Sequence, residues 1–133
     1  MLYILDTNAC IGIIKNTPVL LRHRLFQLDV SQVAISAITL YELEYGVCHS
    51  QQVARNRANL DAFLQYIQIL EWKEDQSREA ALVRCELAKL GKPIGHYDTL
   101  IAAHARSLKA TIVNHNVGEF GRVDKLLIED WEL

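Results

Sequence analysis

Short apolar runs alternate along this chain with stretches of helical period, and that alternation predicts a βαβ architecture. Residues 2–5 form a continuous apolar run, the pattern of a strand buried on both faces. Asp6, Thr7 and Asn8 follow, each a good helix N-cap. Residues 9–15 read as a helix that Asn16-Thr17-Pro18 ends. A second helix over residues 19–28 puts Leu21, Leu25 and Leu28 on one stripe. Val33-Ala34-Ile35 is the second strand, and Ser36 caps a helix over residues 37–47. Residues 51–66 place Leu60, Phe63 and Leu64 at helical spacing, and residues 67–72 supply a third strand. A strong helix covers residues 75–90, with Gly91 at its C′ position and Pro93 beyond. Residues 98–110 form a further helix, small and apolar on one side. Thr111-Ile112-Val113 is the fourth strand, and a last one begins at Leu126.

The length of 133 residues fits one compact domain spanning residues 1–133. Lys and Arg number 14 against 16 Asp and Glu, a formal net charge of −2. That balance excludes a broadly basic protein that coats nucleic acid by neutralising phosphates, though not a local basic patch. The three cysteines, Cys10, Cys48 and Cys85, are an odd number with no close pair. Neither a disulfide framework nor a CxxC site is expected, which suits a reducing cytoplasmic setting. No apolar run is long enough for a membrane span, and the first residues lack the basic stretch of a signal peptide.

Three acids stand where this pattern puts strand ends or helix starts. Asp6 follows the first strand, at the carboxyl edge where open α/β sheets collect ligands. An N-cap role alone accounts for an isolated Asp there, but Leu5-Asp6-Thr7-Asn8 adds a hydroxyl and an amide. A haloacid-dehalogenase-type phosphatase is excluded, because the second Asp it needs is replaced by Asn8. Glu42 lies in the helix that follows Ser36 and borders its buried stripe, whereas Glu44 points to the surface. Thr39 and Glu42 also match a capping box, in competition with Ser36. Asp98 opens the helix after Gly95-His96-Tyr97, where a cap and the helix dipole both favour it. The polar stretch Asn114-His115-Asn116-Val117-Gly118 reads as a turn in which Asn116 can hold a water or support a ligand. Clustered carboxylates repel unless a cation offsets them, and hard oxygen ligands of this kind suit Mg²⁺ or Mn²⁺. A zinc site is not indicated, since no His-x-x-x-His pair with a third ligand occurs. Nor is there a nucleophile motif for Ser-His-Asp or Cys-His catalysis.

The order of these motifs resembles the PIN-domain nucleases, specifically the VapC toxins of bacterial toxin–antitoxin systems. The resemblance runs nearly end to end. It covers Leu5-Asp6-Thr7-Asn8, Ile38-Thr39-Leu40-Tyr41-Glu42-Leu43-x-Tyr45-Gly46 and Gly91-Lys92-Pro93-Ile94-Gly95-x-x-Asp98-x-x-Ile101-Ala102-Ala103-His104-Ala105. Asn116-Val117-x-Glu119-Phe120-x-Arg122-Val123 and Ile128-Glu129-Asp130-Trp131 complete it. It implies an α/β class fold, a three-layer α/β/α sandwich on a mainly parallel sheet. It implies Mg²⁺-dependent endonucleolytic hydrolysis of RNA by metal-activated water, with Mn²⁺ as a substitute ion. Carried over by position, Asp6 and Asp98 are the principal metal carboxylates and Glu42 completes the acidic cluster. Thr7 supports Asp6 and Asn116 takes the fourth position; apart from the resemblance, His115 and His96 are expected to line the cleft and touch RNA. The implied partners are an RNA substrate, an antitoxin that crosses the groove of the 19–28 and 51–66 helices, and a second copy in a homodimer. Two positions depart from the family pattern. Asn114 stands where Thr or Ser is common, and Gly118 where a basic residue is common.

Two other readings compete. A PIN fold that binds RNA or a partner without cutting would have no reason to tolerate the repulsion among Asp6, Glu42 and Asp98. DNA nucleases of the flap-endonuclease type carry clamping elements for which this chain is too short.

Overall fold

The computed structural model describes residues 1–115 and 117–133. Five parallel strands form one sheet: β1 (Tyr3–Leu5), β2 (Val33–Ser36), β3 (Gln68–Leu70), β4 (Thr111–Val113) and β5 (Leu127–Glu129). Their order is β3-β2-β1-β4-β5, so β1 lies at the centre. The helices are α1 (Thr7–Lys15), α2 (Val19–Leu25), α3 (Ala37–Cys48), α4 (Val53–Leu64), α5 (Glu74–Lys89), α6 (His96–Ser107) and α7 (Val117–Phe120). All five expected strands are present, and the sandwich that the resemblance implied is the observed fold.

Side chains of a strand alternate between faces, and this alternation divides the core. Leu5, Ile35 and Val113 pack on one side of the sheet with α1–α4. Ile4 and Ile112 pack on the other with α5 and α6. The small residues Ala102, Ala103 and Ala105 let α6 lie close against the sheet, and all are fully buried. Trp131 returns the chain end to the first side, its ring edge-on to Tyr3 at 5.5 Å between centroids. Among the described residues no helix is long and apolar enough to cross a membrane.

Several boundaries differ from the sequence reading, each for a local reason. The second helix stops at Leu25, and Leu28 packs against the core from beyond it. Ser36 wins the competition for the α3 cap: its Oγ accepts from Ile38 N–H at 3.1 Å, while Thr39 is buried inside the helix. The Thr39 to Glu42 capping box is therefore not formed. Asp98 does not open its helix. Gly95 occupies the N-cap and α6 starts at His96, which puts Asp98 in the first turn. The stretch after residue 116 is not a plain turn but the short α7, anchored by buried Phe120. Gly91 stands where expected, at φ +66°. The Gly91 N–H reaches Ala88 O and the Lys92 N–H reaches Leu87 O, the paired bonds of a Schellman ending.

Candidate metal-dependent nuclease site

The strand order places the site. From β1, the chain builds outward through β2 and β3 on one side and through β4 and β5 on the other. Between β1 and β4 the connections diverge, which opens a crevice at their carboxyl ends. Leu5 pairs with Val113, so the next residues, Asp6 and Asn114, emerge side by side. Asn114 Nδ2 donates to Asp6 Oδ2 at 2.5 Å, and Ala9 N–H donates to Asp6 Oδ1 at 2.7 Å. Asp6 is thus the N-cap of α1 at the carboxyl edge of the sheet, and it is buried.

The next residue links the second acid to the first. Thr7 Oγ1 donates to Glu42 Oε1 at 2.6 Å and ties α1 to α3. Thr7 therefore holds Glu42 directly and acts on Asp6 only as its chain neighbour. Glu42 is half-buried; Glu44 turns away and pairs with Arg57. Asp98 completes the group from the start of α6, half-buried, with the Glu119 carboxyl beside it. We expect Thr7→Val to lower cleavage about tenfold, the value of one charge-assisted hydrogen bond. Initial rates on a labelled RNA, alongside an unchanged circular dichroism spectrum, check this.

The electrostatics confirm that these acids feel one another. Burial pushes the Asp6 carboxyl up, the Ala9 N–H and the Asn114 amide hold it back, and the charges of Glu132 and Glu42 push it further. Asp98 is raised to about 6, by burial first, then by Glu119, and then by Asp6 and Glu42. Carboxylates raised by one another's charge are stabilised by a cation placed among them.

The donor set tests which cation fits. Asp6, Glu42 and Asp98 offer only oxygen, the chemistry of Mg²⁺ and Mn²⁺. Among the described residues no three His, Cys, Asp or Glu side chains form a ready metal cage. Mg²⁺ needs none, because it keeps several waters and uses one or two carboxylates. The Asn114 Oδ1 atom is also buried, next to Asp6, with no hydrogen-bond partner among the described residues. A polar atom left so beside a carboxylate marks a position where the surroundings are incomplete.

The remaining expected residues divide. His115 is exposed and bonds Asp130 at 3.1 Å, which turns it towards the C-terminal segment. His96 is exposed at the start of α6. His104 is buried, with Nδ1 2.7 Å from Ser36 Oγ, and joins α6 to the cap of α3. Asn116 lies outside the described residues. Three neighbours escaped the sequence reading: Asn114 as the partner of Asp6, Glu119 beside Asp98, and Glu132 near Asp6. Glu119 stood in a recognised motif, three residues after Asn116, and that spacing was its one signal.

Comparison with known proteins agrees with this fold. A family model described as PIN domain matches residues 3–126. The tRNA(fMet)-specific endonuclease VapC of Shigella flexneri is 43% identical over 129 residues, covering 97% of each chain. The crystal structure of VapBC2 from Rickettsia felis, bound to a DNA fragment from its promoter, superposes with a TM-score of 0.93. It is 37% identical and covers 98% of this chain and 99% of its own. DNA-bound VapBC from Salmonella typhimurium gives a TM-score of 0.92 at 42% identity, again over 98% and 99%. With the fold and a near full-length match in agreement, the chain belongs to the PIN-domain family, among its VapC-type ribonuclease toxins.

Proposed function

We propose that this chain is the toxin of a toxin–antitoxin pair, a single cytoplasmic nuclease domain that hydrolyses RNA at the Asp6, Glu42 and Asp98 crevice. The observation that carries the reading is the gathering of three acids at the carboxyl edge of the sheet: Asp6 follows β1, Thr7 ties Glu42 to the next position, and Asp98, in the first turn of α6, feels the charges of both. PIN-domain nucleases as a class depend on divalent metal, and Mg²⁺ is the ion proposed here, with Mn²⁺ able to replace it. A bound ion supplies Lewis-acid stabilisation of the phosphodiester charge and a water of lowered pKa.

The protein's own groups do the positioning. Asp6 and Asp98 would hold the ion, and Glu42 would ligate it or orient a water. Ala9 N–H and the Asn114 amide fix the Asp6 carboxylate, and Thr7 fixes Glu42. Asn116 supports the fourth position, and His115 flanks the cleft. None of these groups is placed as a covalent nucleophile.

Relatives named for tRNA(fMet) cleavage make a structured tRNA, the initiator first, the substrate to try. Relatives crystallised as VapBC complexes support a cognate antitoxin. Its seat on this chain is the furrow between α1, α2 and α4, about 240 Å³, where Leu25, Phe26 and Phe63 give an apolar lining. A homodimer is the expected assembly. Expression should arrest growth, and co-expression of the adjacent gene should relieve the arrest. A harmless chain that binds RNA without cutting it would favour a silent binding module.

A further inference from the structure

We propose that the furrow running from Glu42 between α1, α3 and α4 is a subsite for one unpaired ribonucleotide flanking the scissile phosphodiester. The proposal rests on the ribonuclease reading above. The furrow has a volume of about 720 Å³, within the span of ligand-binding clefts, and Glu42 lines it. An RNA strand with a phosphodiester at the acids therefore continues into it.

Its walls suit a nucleotide. Lys15, at the end of α1, and Arg55, in the first turn of α4, stand on its rim and are exposed. Neither is ion-paired among the described residues, whereas Arg57 on the same helix is held by Glu44 and Asp61. Among the described residues Arg55 reaches only the Gln52 amide oxygen, at 3.2 Å. Two unpaired cations beside an acidic crevice offset its repulsion of a phosphate. Asn56 and Asn59 add amides that both donate and accept, the chemistry that reads the edge of an unstacked base. Ile11 and Leu43 supply an apolar floor for its flat face.

The adjoining antitoxin furrow differs in kind. Its one lining cation, Arg22, is occupied by the Ile13 and Ile14 carbonyls at 2.7 and 3.0 Å, so it offers a phosphate no free charge among the described residues. The two furrows share Ile14 and Asn59, so they adjoin, and what separates them is the state of their cations.

The test uses Lys15→Gln and Arg55→Gln, singly and together, with Arg84→Gln on the exposed side of α5 as a charge control. Binding of a labelled single-stranded RNA oligonucleotide is followed by fluorescence anisotropy in EDTA at rising KCl, and cleavage kinetics are followed in Mg²⁺. The double variant should bind about tenfold more weakly. Its slope of log affinity against log salt should shrink by about 0.7 for each phosphate that is no longer neutralised. The kinetic loss should fall on KM more than on kcat, and Asn59→Ala should change the base preferred beside the cut. The Arg84 variant should match the parent. Parental affinity, salt slope and KM in the double variant would overturn the proposal. So would intact RNA binding with loss only of relief by the adjacent-gene product, which makes the furrow a protein site. A parent that cuts no RNA would sink the ribonuclease reading itself, so the two failures are distinguishable.

Discussion

Asp6→Asn is expected to lower RNA cleavage about a thousandfold and to raise the thermal unfolding midpoint of the metal-free protein. The loss follows from the metal: a carboxylate that holds the ion contributes several kcal/mol of charge stabilisation, and each 1.36 kcal/mol is a factor of about ten. The gain in stability follows from burial. Asp6 is 3% exposed, so its charge is poorly solvated at neutral pH, and its carboxyl is raised accordingly. Asn has the same shape, carries no charge and still accepts the Ala9 N–H as a helix cap. The Asn114 amide adapts by turning over. Its Oδ1, buried without a partner among the described residues, then accepts from the new side-chain amide. Activity and stability thus move in opposite directions, the mark of a site whose charge serves function at a cost to folding. Melting curves in EDTA and single-turnover rates in Mg²⁺ measure both. A variant that loses activity and unfolds earlier would assign Asp6 a structural role only.

Cleavage at subsaturating Mg²⁺ should fall about tenfold for each pH unit below about 6, and added Mg²⁺ should move that fall to lower pH. The group responsible is Asp98, raised from an ordinary 3.8 to about 6 by burial, Glu119 and the neighbouring acids. Protons and the ion compete for the same carboxylate, so each tenfold rise in ion concentration offsets a unit of pH until the site is saturated. Stability of the metal-free protein runs the other way. Between about pH 4 and 6 the folded chain binds more protons at Asp98 than the unfolded chain does, so stability falls as pH rises through that window. Above about 6 the contribution is gone. Rate profiles at two Mg²⁺ concentrations, with urea melts in EDTA from pH 4 to 8, check the two halves. A midpoint that ignores Mg²⁺ would detach Asp98 from the ion.

The strands were legible because continuous apolar runs of three or four residues, set between helical periods, have few other uses in a chain this short. Asp6 was legible as the acid that follows the central strand. The start of α6 was not, because Asp98 is a strong cap by preference. Gly95 caps that helix instead through its backbone, which leaves no side-chain signature. Four-residue α7 was hidden because so short a helix shows no period, and Glu119 was hidden with it. Asn114 read as a departure from the family until the β1–β4 register set it against Asp6. That contact joins residues 108 positions apart, which no local pattern encodes.

The central claim is that Asp6, Glu42 and Asp98 form one metal-dependent RNA-cleaving site. Its most direct test is cleavage of initiator tRNA by the purified chain in EDTA, in EDTA followed by excess Mg²⁺, and in Mg²⁺ with Asp98→Asn. The account predicts no cutting in EDTA, full recovery on adding Mg²⁺, and loss of about a thousandfold in the variant. Cutting of RNA by the parent in EDTA, or by the Asp98 variant at the parental rate, would contradict it.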